Sequence, residues 1–273
     1  MPALPRRRPP ALHFSTIVTA FLLGLLTGCA TAPPASDPEA LTEFRQTNDP
    51  IEPTNRVFYK VNDALDTAIL APAARAYRFV LPAPVRTGIH NVLDNLGSPV
   101  RFANDVLQGK PLRAGDTAVR FVVNSTFGLA GLIDVGKRVN IPGHDTDFGL
   151  TLGHWGVPEG PFLYLPILGP SSPRDAAGFG VDIAMDPFTW VGRGTTAATV
   201  GTWSRTVAGA LDTRSDLLDP IDQIKKTALD PYATFRSLYR QNRMGKLEKL
   251  SAPDPWQDHA WVPGSRPQAL NPR

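Results

Sequence analysis

One cysteine, Cys29, stands in the whole chain, so no disulfide can form within it. Long apolar runs are also missing. The stretch from Phe14 to Leu26 is interrupted by Ser15, Thr16, Thr19 and Gly24, and falls well short of the ~20 residues a helix needs to cross a bilayer. Charge of one sign is nowhere concentrated: 28 basic against 25 acidic residues leave a formal +3 without long single-sign runs, which excludes a nucleic-acid surface. Alternating, β-branched strand patterns are scarce, which points away from a sheet-based fold. Proline and glycine, by contrast, are plentiful. The 28 prolines and 23 glycines predict an all-α body of short helices joined by many turns.

Arg6, Arg7 and Arg8 precede the apolar stretch, the layout of a cleaved export signal. No Ser-Arg-Arg-x-Phe pattern follows, so the general secretory route is expected. The stretch ends in Leu26-Thr27-Gly28-Cys29, which resembles the bacterial lipobox, where the cysteine after small residues receives lipid. Residues 1–28 are therefore expected to be removed, and Cys29 to carry the anchor. Ala30 stands where an Asp would retain many lipoproteins in the inner membrane, and so favours the outer membrane of a Gram-negative cell.

After the anchor, residues 29–48 are Pro-, Ala- and Thr-rich and read as a flexible tether, and a single domain is expected over 49–250. Val57, Phe58, Val61, Leu65, Ala68 and Ile69 have the spacing of one helix face, and Val85, Ile89, Val92, Leu93 and Leu96 repeat it. Gly97-Ser98-Pro99 reads as the stop of one helix and the start of another. Further starts are expected at Gly115-Asp116, Ser172-Pro173, Asp219-Pro220 and Asp230-Pro231. Residues 251–273, with five prolines, are expected to be a disordered tail.

Two segments are too apolar for an ordinary soluble helix and too broken to span a membrane: Ala118 to Val135, and Gly160 to Pro170. Composition leaves two readings open. They are buried core, or they lie at membrane depth beside a cavity, where irregular backbone is tolerated.

The chain resembles the MlaA/VacJ family of outer-membrane lipoproteins. The likeness runs from Asp49-Pro50-Ile51-Glu52 and Asn55-Arg56, through Phe127-Gly128-Leu129-Ala130-Gly131-Leu132-Ile133-Asp134, to Phe148-Gly149-x-Thr151-Leu152-Gly153-His154-Trp155-Gly156. It continues in Gly169-Pro170-Ser171-Ser172-x-Arg174-Asp175 and closes with Asp230-Pro231-Tyr232, Arg236 and Tyr239. The resemblance implies a helical ring embedded in the inner leaflet of the outer membrane around a central amphipathic channel. Phospholipids misplaced in the outer leaflet would pass through it to a soluble periplasmic phospholipid carrier, with a trimeric porin as a further partner. It implies no enzyme and no cofactor. An outer-membrane phospholipase and a structural porin-associated lipoprotein are the competing functions.

Within that frame, Phe127, Gly128, Leu129, Gly131, Leu132, Ile133 and Asp134 form a candidate hinge loop beside the channel, although Gly128 and Gly131 equally suit close helix packing. Arg236, Tyr239, Arg240 and Arg243 place charge and aromatic surface on one predicted helix, for lipid headgroups, an acidic partner or simple solvation. His144, Asp145, Asp147 and His154 match no standard zinc or hydrolase spacing, so neither a metal nor a catalytic set is expected. Ser171 and Ser172 lack a Gly-x-Ser-x-Gly elbow and suit a helix cap.

Overall fold

The computed structural model describes residues 33–34 and 36–252. Cys29, the leader and the tail beyond Ala252 lie outside the described residues. The body is helical: α1 (Pro38–Thr47), α2 (Glu52–Leu65), α3 (Ala71–Val80), α4 (Ala83–Leu107), α5 (Pro111–Thr126), α6 (Val135–Arg138) and α7 (Phe148–His154) precede a hairpin. After β1 (Leu163–Leu165) and β2 (Gly169–Ser171) come α8 (Pro173–Met185), α9 (Thr196–Asp216), α10 (Leu218–Thr227) and α11 (Pro231–Ser251). A π-helical turn, Asp66–Leu70, joins α2 to α3.

Local chemistry sets several of these starts. Ser172 accepts the Asp175 N–H with Pro173 in the first turn, and Asp230 accepts the Ala233 N–H ahead of Pro231, as their sequences suggest. Elsewhere packing overrides the local signal. Gly97-Ser98-Pro99 does not end a helix: α4 runs through it for 25 residues. Pro99 deprives the Asn95 carbonyl of its helical donor, yet α4 is held in place by α5 along its length, and Ser98 is buried instead of capping. Gly115-Asp116 likewise lies inside α5, which begins at Pro111, where proline fits the first turn. The expected short helices are thus joined by long ones, and part of the expected tether is α1. Glu39 in its first turn complements the helix dipole, and Arg240 donates to the Thr47 carbonyl at its end (2.8 Å).

The hairpin was not anticipated, because each strand has only three residues. Its outer edge is paired by side chains. Asn55 donates to the Phe162 carbonyl (3.0 Å) and accepts the Tyr164 N–H (2.9 Å). One heptad on, Asn62 does the same for Leu165 and Ile167 at 2.8 Å. Behind it, Phe162, Tyr164 and Tyr232 form the apolar core, with Phe58, Tyr59 and Tyr239 packed around them.

That core is small. Among the described residues, 9 hydrophobic side chains are buried against 18 polar or charged ones. The large apolar residues face outward: Val57, Val61, Leu65 and Ile69 on one stripe, Val119 and Val122 on α5, and Val200, Trp203 and Val207 on α9. Phe79 is 90% exposed. A soluble protein has the opposite arrangement. No described helix is long and apolar enough to cross a membrane.

Candidate functional site

Inside this apolar exterior lies a polar cavity of ≈ 460 Å³. Its wall is one stripe of α4, in which His90, Asp94, Ser98 and Arg101 recur at helical spacing. Arg113, Thr117 and Arg120 face it from α5, the 142–145 segment closes one side, and Lys246 and Lys249 reach in from α11. Five lysines and arginines therefore share the cavity with two aspartates. Arg101 pairs with Asp94 at 2.5 Å, while Asp145 stays 3.9 Å from Arg101 and 3.7 Å from Lys246. The balance is positive. Such a lining can hold an anionic group such as a phosphate in a wall that is otherwise surrounded by hydrocarbon-like surface.

The cavity floor is a buried polar relay. Asp105, fully buried, accepts from Thr117 and His144, each at 2.7 Å. Next to it Asn104 donates to Asp182 (2.8 Å) and accepts from Thr151 (2.7 Å), while Gln108 donates to Thr146 and Thr151. These bonds tie α4, α5 and α7 together beneath the cavity, although the buried Gln108 Oε1 has no hydrogen-bond partner.

At the end of α5 the expected hinge loop folds into a tight left-handed turn. Leu129, Ala130 and Gly131 all have positive φ (54°, 59° and 98°), a conformation unfavourable for the first two. Gly128 is a close-packing position: a Cβ there would meet the Ile133 carbonyl oxygen at 2.2 Å and the Asn124 carbonyl oxygen at 2.4 Å. The base is firmly bonded. Asp134 accepts from Arg120 (2.8 Å), Asn124 (3.1 Å) and the Lys137 N–H (3.0 Å), and Asn91 on α4 donates to the Leu132 carbonyl (3.1 Å). Burial would raise the Asp134 pKa, but these partners hold its carboxyl below the usual range. The tip is apolar and open, with Phe127 75% and Leu129 65% exposed. Ile133 is partly buried between base and tip.

The basic residues of α11 are placed differently from the expectation. Arg243 is buried and donates to both Asp147 oxygens (2.6 and 2.9 Å) and to Asp175 (2.8 Å). Tyr239 donates to the other Asp175 oxygen, and Arg236 bonds Asp49 at 2.8 Å beside Tyr232, which donates to the same Asp49 oxygen. Arg240 holds α1 and lies 3.8 Å from Glu159. These side chains join elements to one another; carboxylates and a carbonyl from other segments draw them inward. The cationic surface belongs to Arg113, Lys246 and Lys249 instead. Its signal in the sequence was the polar stripe at 90, 94, 98 and 101, on the same helix whose apolar face was read.

His144, Asp145, Asp147 and His154 do not converge on one point. Asp147 caps α7 through the Leu150 N–H (2.8 Å), and His144 bonds Asp105. Another trio, His90, Asp212 and Asp216, brings possible ligand atoms within 4.8 Å of one another. Asp212 is already committed to Tyr77 (3.2 Å) and to His90 (2.8 Å), and the bond to Asp212 raises the His90 pKa against the effect of burial.

Comparison with known proteins agrees with this architecture. Residues 47–246 match the model of the MlaA lipoprotein family. The chain is 37% identical over 255 residues, 88% of its length and 96% of the relative's, to the intermembrane phospholipid transport system lipoprotein MlaA of Haemophilus influenzae. With the protein of the same name from Escherichia coli K12 it shares 36% identity over 230 residues, covering 82% and 86% of the two chains. A solved structure described as the structural basis for maintenance of bacterial outer membrane lipid asymmetry superposes with a TM-score of 0.62 at 34% identity, over 73% of this chain and 98% of the other. By these matches the chain belongs to the MlaA lipoprotein family.

Proposed function

We propose that the protein is a phospholipid-transfer lipoprotein of the outer membrane, anchored through Cys29 and embedded as a helical ring in the inner leaflet. The observation that carries this reading is the distribution of polarity: apolar side chains face outward while charge lines a half-open cavity. The outward face replaces contact with water by contact with acyl chains. The cavity serves as an amphipathic channel, in which the cations of α5 and α11 meet the phosphate of a misplaced outer-leaflet phospholipid. The channel delivers it to a soluble periplasmic carrier, and a trimeric porin holds the ring in place.

The physical need for such a path is large. Drawing two acyl chains with ~30 methylenes through water costs roughly 25 kcal/mol, at about 0.8 kcal/mol for each CH₂. A sheltered route removes most of that barrier without covalent chemistry. In this reading the loop from Phe127 to Asp134 borders the route; what supports it is a base bonded through Asp134 beneath an open apolar tip.

The test is outer-leaflet phospholipid in cells lacking the protein, complemented with wild type or with Cys29→Ala. Accumulation in the deletion strain and rescue by wild type support transport, and loss of rescue with Cys29→Ala supports the anchor. Unchanged asymmetry in the deletion strain would favour a porin brace. Release of fatty acid by the purified protein would make it a phospholipase.

A further inference from the structure

A second hollow, larger than the cationic cavity at ≈ 780 Å³, lies between α8, α9 and another face of α4. Its walls are Leu93 and Leu96 of α4, Phe179 and Ile183 of α8, and Phe188 and Trp203. The residues of α4 that line it differ from those that line the cationic cavity, so one helix presents apolar side chains to one space and charged ones to the other. One ion pair, Asp186 with Arg205 at 2.5 Å, lies against it, with Arg205 over the Phe188 ring.

The floor of the hollow is a stripe of small residues on α9 that includes Ala198, Gly201, Thr202 and Gly209. Glycine inside a helix is destabilising and is usually explained by a neighbour that leaves no room for a side chain. That explanation fails here. A Cβ built on Gly201 or Gly209 would meet nothing within 4 Å. At these two positions the absence of a side chain leaves the hollow open.

We infer that this hollow is an acyl-chain site, which takes the tail of a phospholipid whose charged headgroup is drawn toward the cationic cavity across α4. This rests on the proposed transport of phospholipid and adds where the hydrocarbon goes. The volume lies in the range of sites that enclose most of a small ligand, and the lining is aliphatic and aromatic, as such sites are. The charge that complements a phosphate is supplied on another face of the same helix, so α4 separates the two chemistries of the lipid.

The two glycines also supply the test, because leucine at either position fills the hollow without displacing the fold. Full-length lipidated protein is reconstituted with phosphatidylethanolamine carrying a diazirine at the end of one acyl chain, then irradiated and mapped by peptide mass spectrometry. Wild type should be labelled at Leu93 and Leu96, the half-buried walls of the hollow, in preference to the exposed Val57 and Val61. Gly201→Leu with Gly209→Leu should lose that labelling, while Gly245→Leu, another open helical glycine away from the hollow, should keep it. Labelling that is uniform over exposed apolar residues and unchanged in the leucine variants overturns the acyl site and leaves phospholipid transport standing. So does a hollow found cross-linked to a second polypeptide in place of lipid. If the phospholipid labels the wild-type protein nowhere, the transport reading falls with it.

Discussion

The end of the molecule built around α11 and the hairpin contrasts sharply with the region around α4, α5 and the loop. At the first, charges are matched: Arg243, Arg236 and Tyr239 each meet a carboxylate from another element, and rings pack edge to face, as with Phe162 and Tyr232 at 6.1 Å. At the second, cations line an open space and large apolar groups face away from the protein. The same residue types therefore do opposite work. Arg243 clamps the fold through its carboxylates, and Arg101 and Arg120 are held by Asp94 and Asp134 at the cavity wall, where Arg113, Lys246 and Lys249 add their charge.

The comparison is broken most severely by Arg243→Ala. It removes the cation from the half-exposed Asp147 and leaves the mostly buried Asp175 with Arg174 alone, so the cost is expected near the low end for a broken buried pair, about 3 kcal/mol. Denaturant unfolding in detergent should show that loss. Asn55→Ala comes next, since it orphans the Phe162 carbonyl and the Tyr164 N–H behind the hairpin. About 2 kcal/mol is expected, with hydrogen exchange accelerating first at Tyr164.

Acid should weaken the fold. Burial pushes the Asp147 carboxyl upward, and the two bonds from Arg243 more than offset it, so its pKa lies below the ordinary range; Asp66, held by Arg214 and Lys225, behaves alike. A depressed folded pKa contributes stability that is present above the unfolded value, about 4, and is lost as pH falls through the folded value. Thermal melts should therefore hold until about pH 4 and drop below it. In Arg243→Ala the drop should begin at higher pH, because burial then acts on Asp147 without its partner.

The smallest effect on stability is expected at the cavity. Arg113→Glu with Lys249→Glu should change the unfolding free energy by about 0.5 kcal/mol or less, as surface substitutions do. Phospholipid should nevertheless accumulate in the outer leaflet. Loss of folding with retained clearance would reverse the assignment of the two regions.

Much of the first region was legible because its signals are local. Ser172 and Asp230 cap the helices that their neighbours Pro173 and Pro231 open. The hairpin was not legible, since its edge is paired by Asn55 and Asn62 from a helix over 100 positions away. Pro99 misled for the related reason that contacts along α4 outweigh one lost hydrogen bond. In the second region periodicity found the apolar faces but not their direction, because a stripe at helical spacing reads the same whether it faces a core or a membrane. The cationic cavity was missed for want of the tertiary approach of α4, α5 and α11. Arg236, Tyr239 and Arg243 were expected at a surface because their carboxylate partners lie between 64 and 187 positions away.

The distribution of polarity is tested most directly by spin labels. Single cysteines at Val61, Phe79 and Val122 on the exterior, and at Asp94 and Arg113 in the cavity, can be labelled in the membrane-reconstituted protein. Collision with oxygen, which concentrates in hydrocarbon, is then compared with collision with a water-soluble nickel chelate. The account predicts oxygen-dominated relaxation at the three exterior positions and nickel-dominated relaxation at the two in the cavity. Nickel access at Val61, Phe79 and Val122 equal to that in the cavity would contradict it.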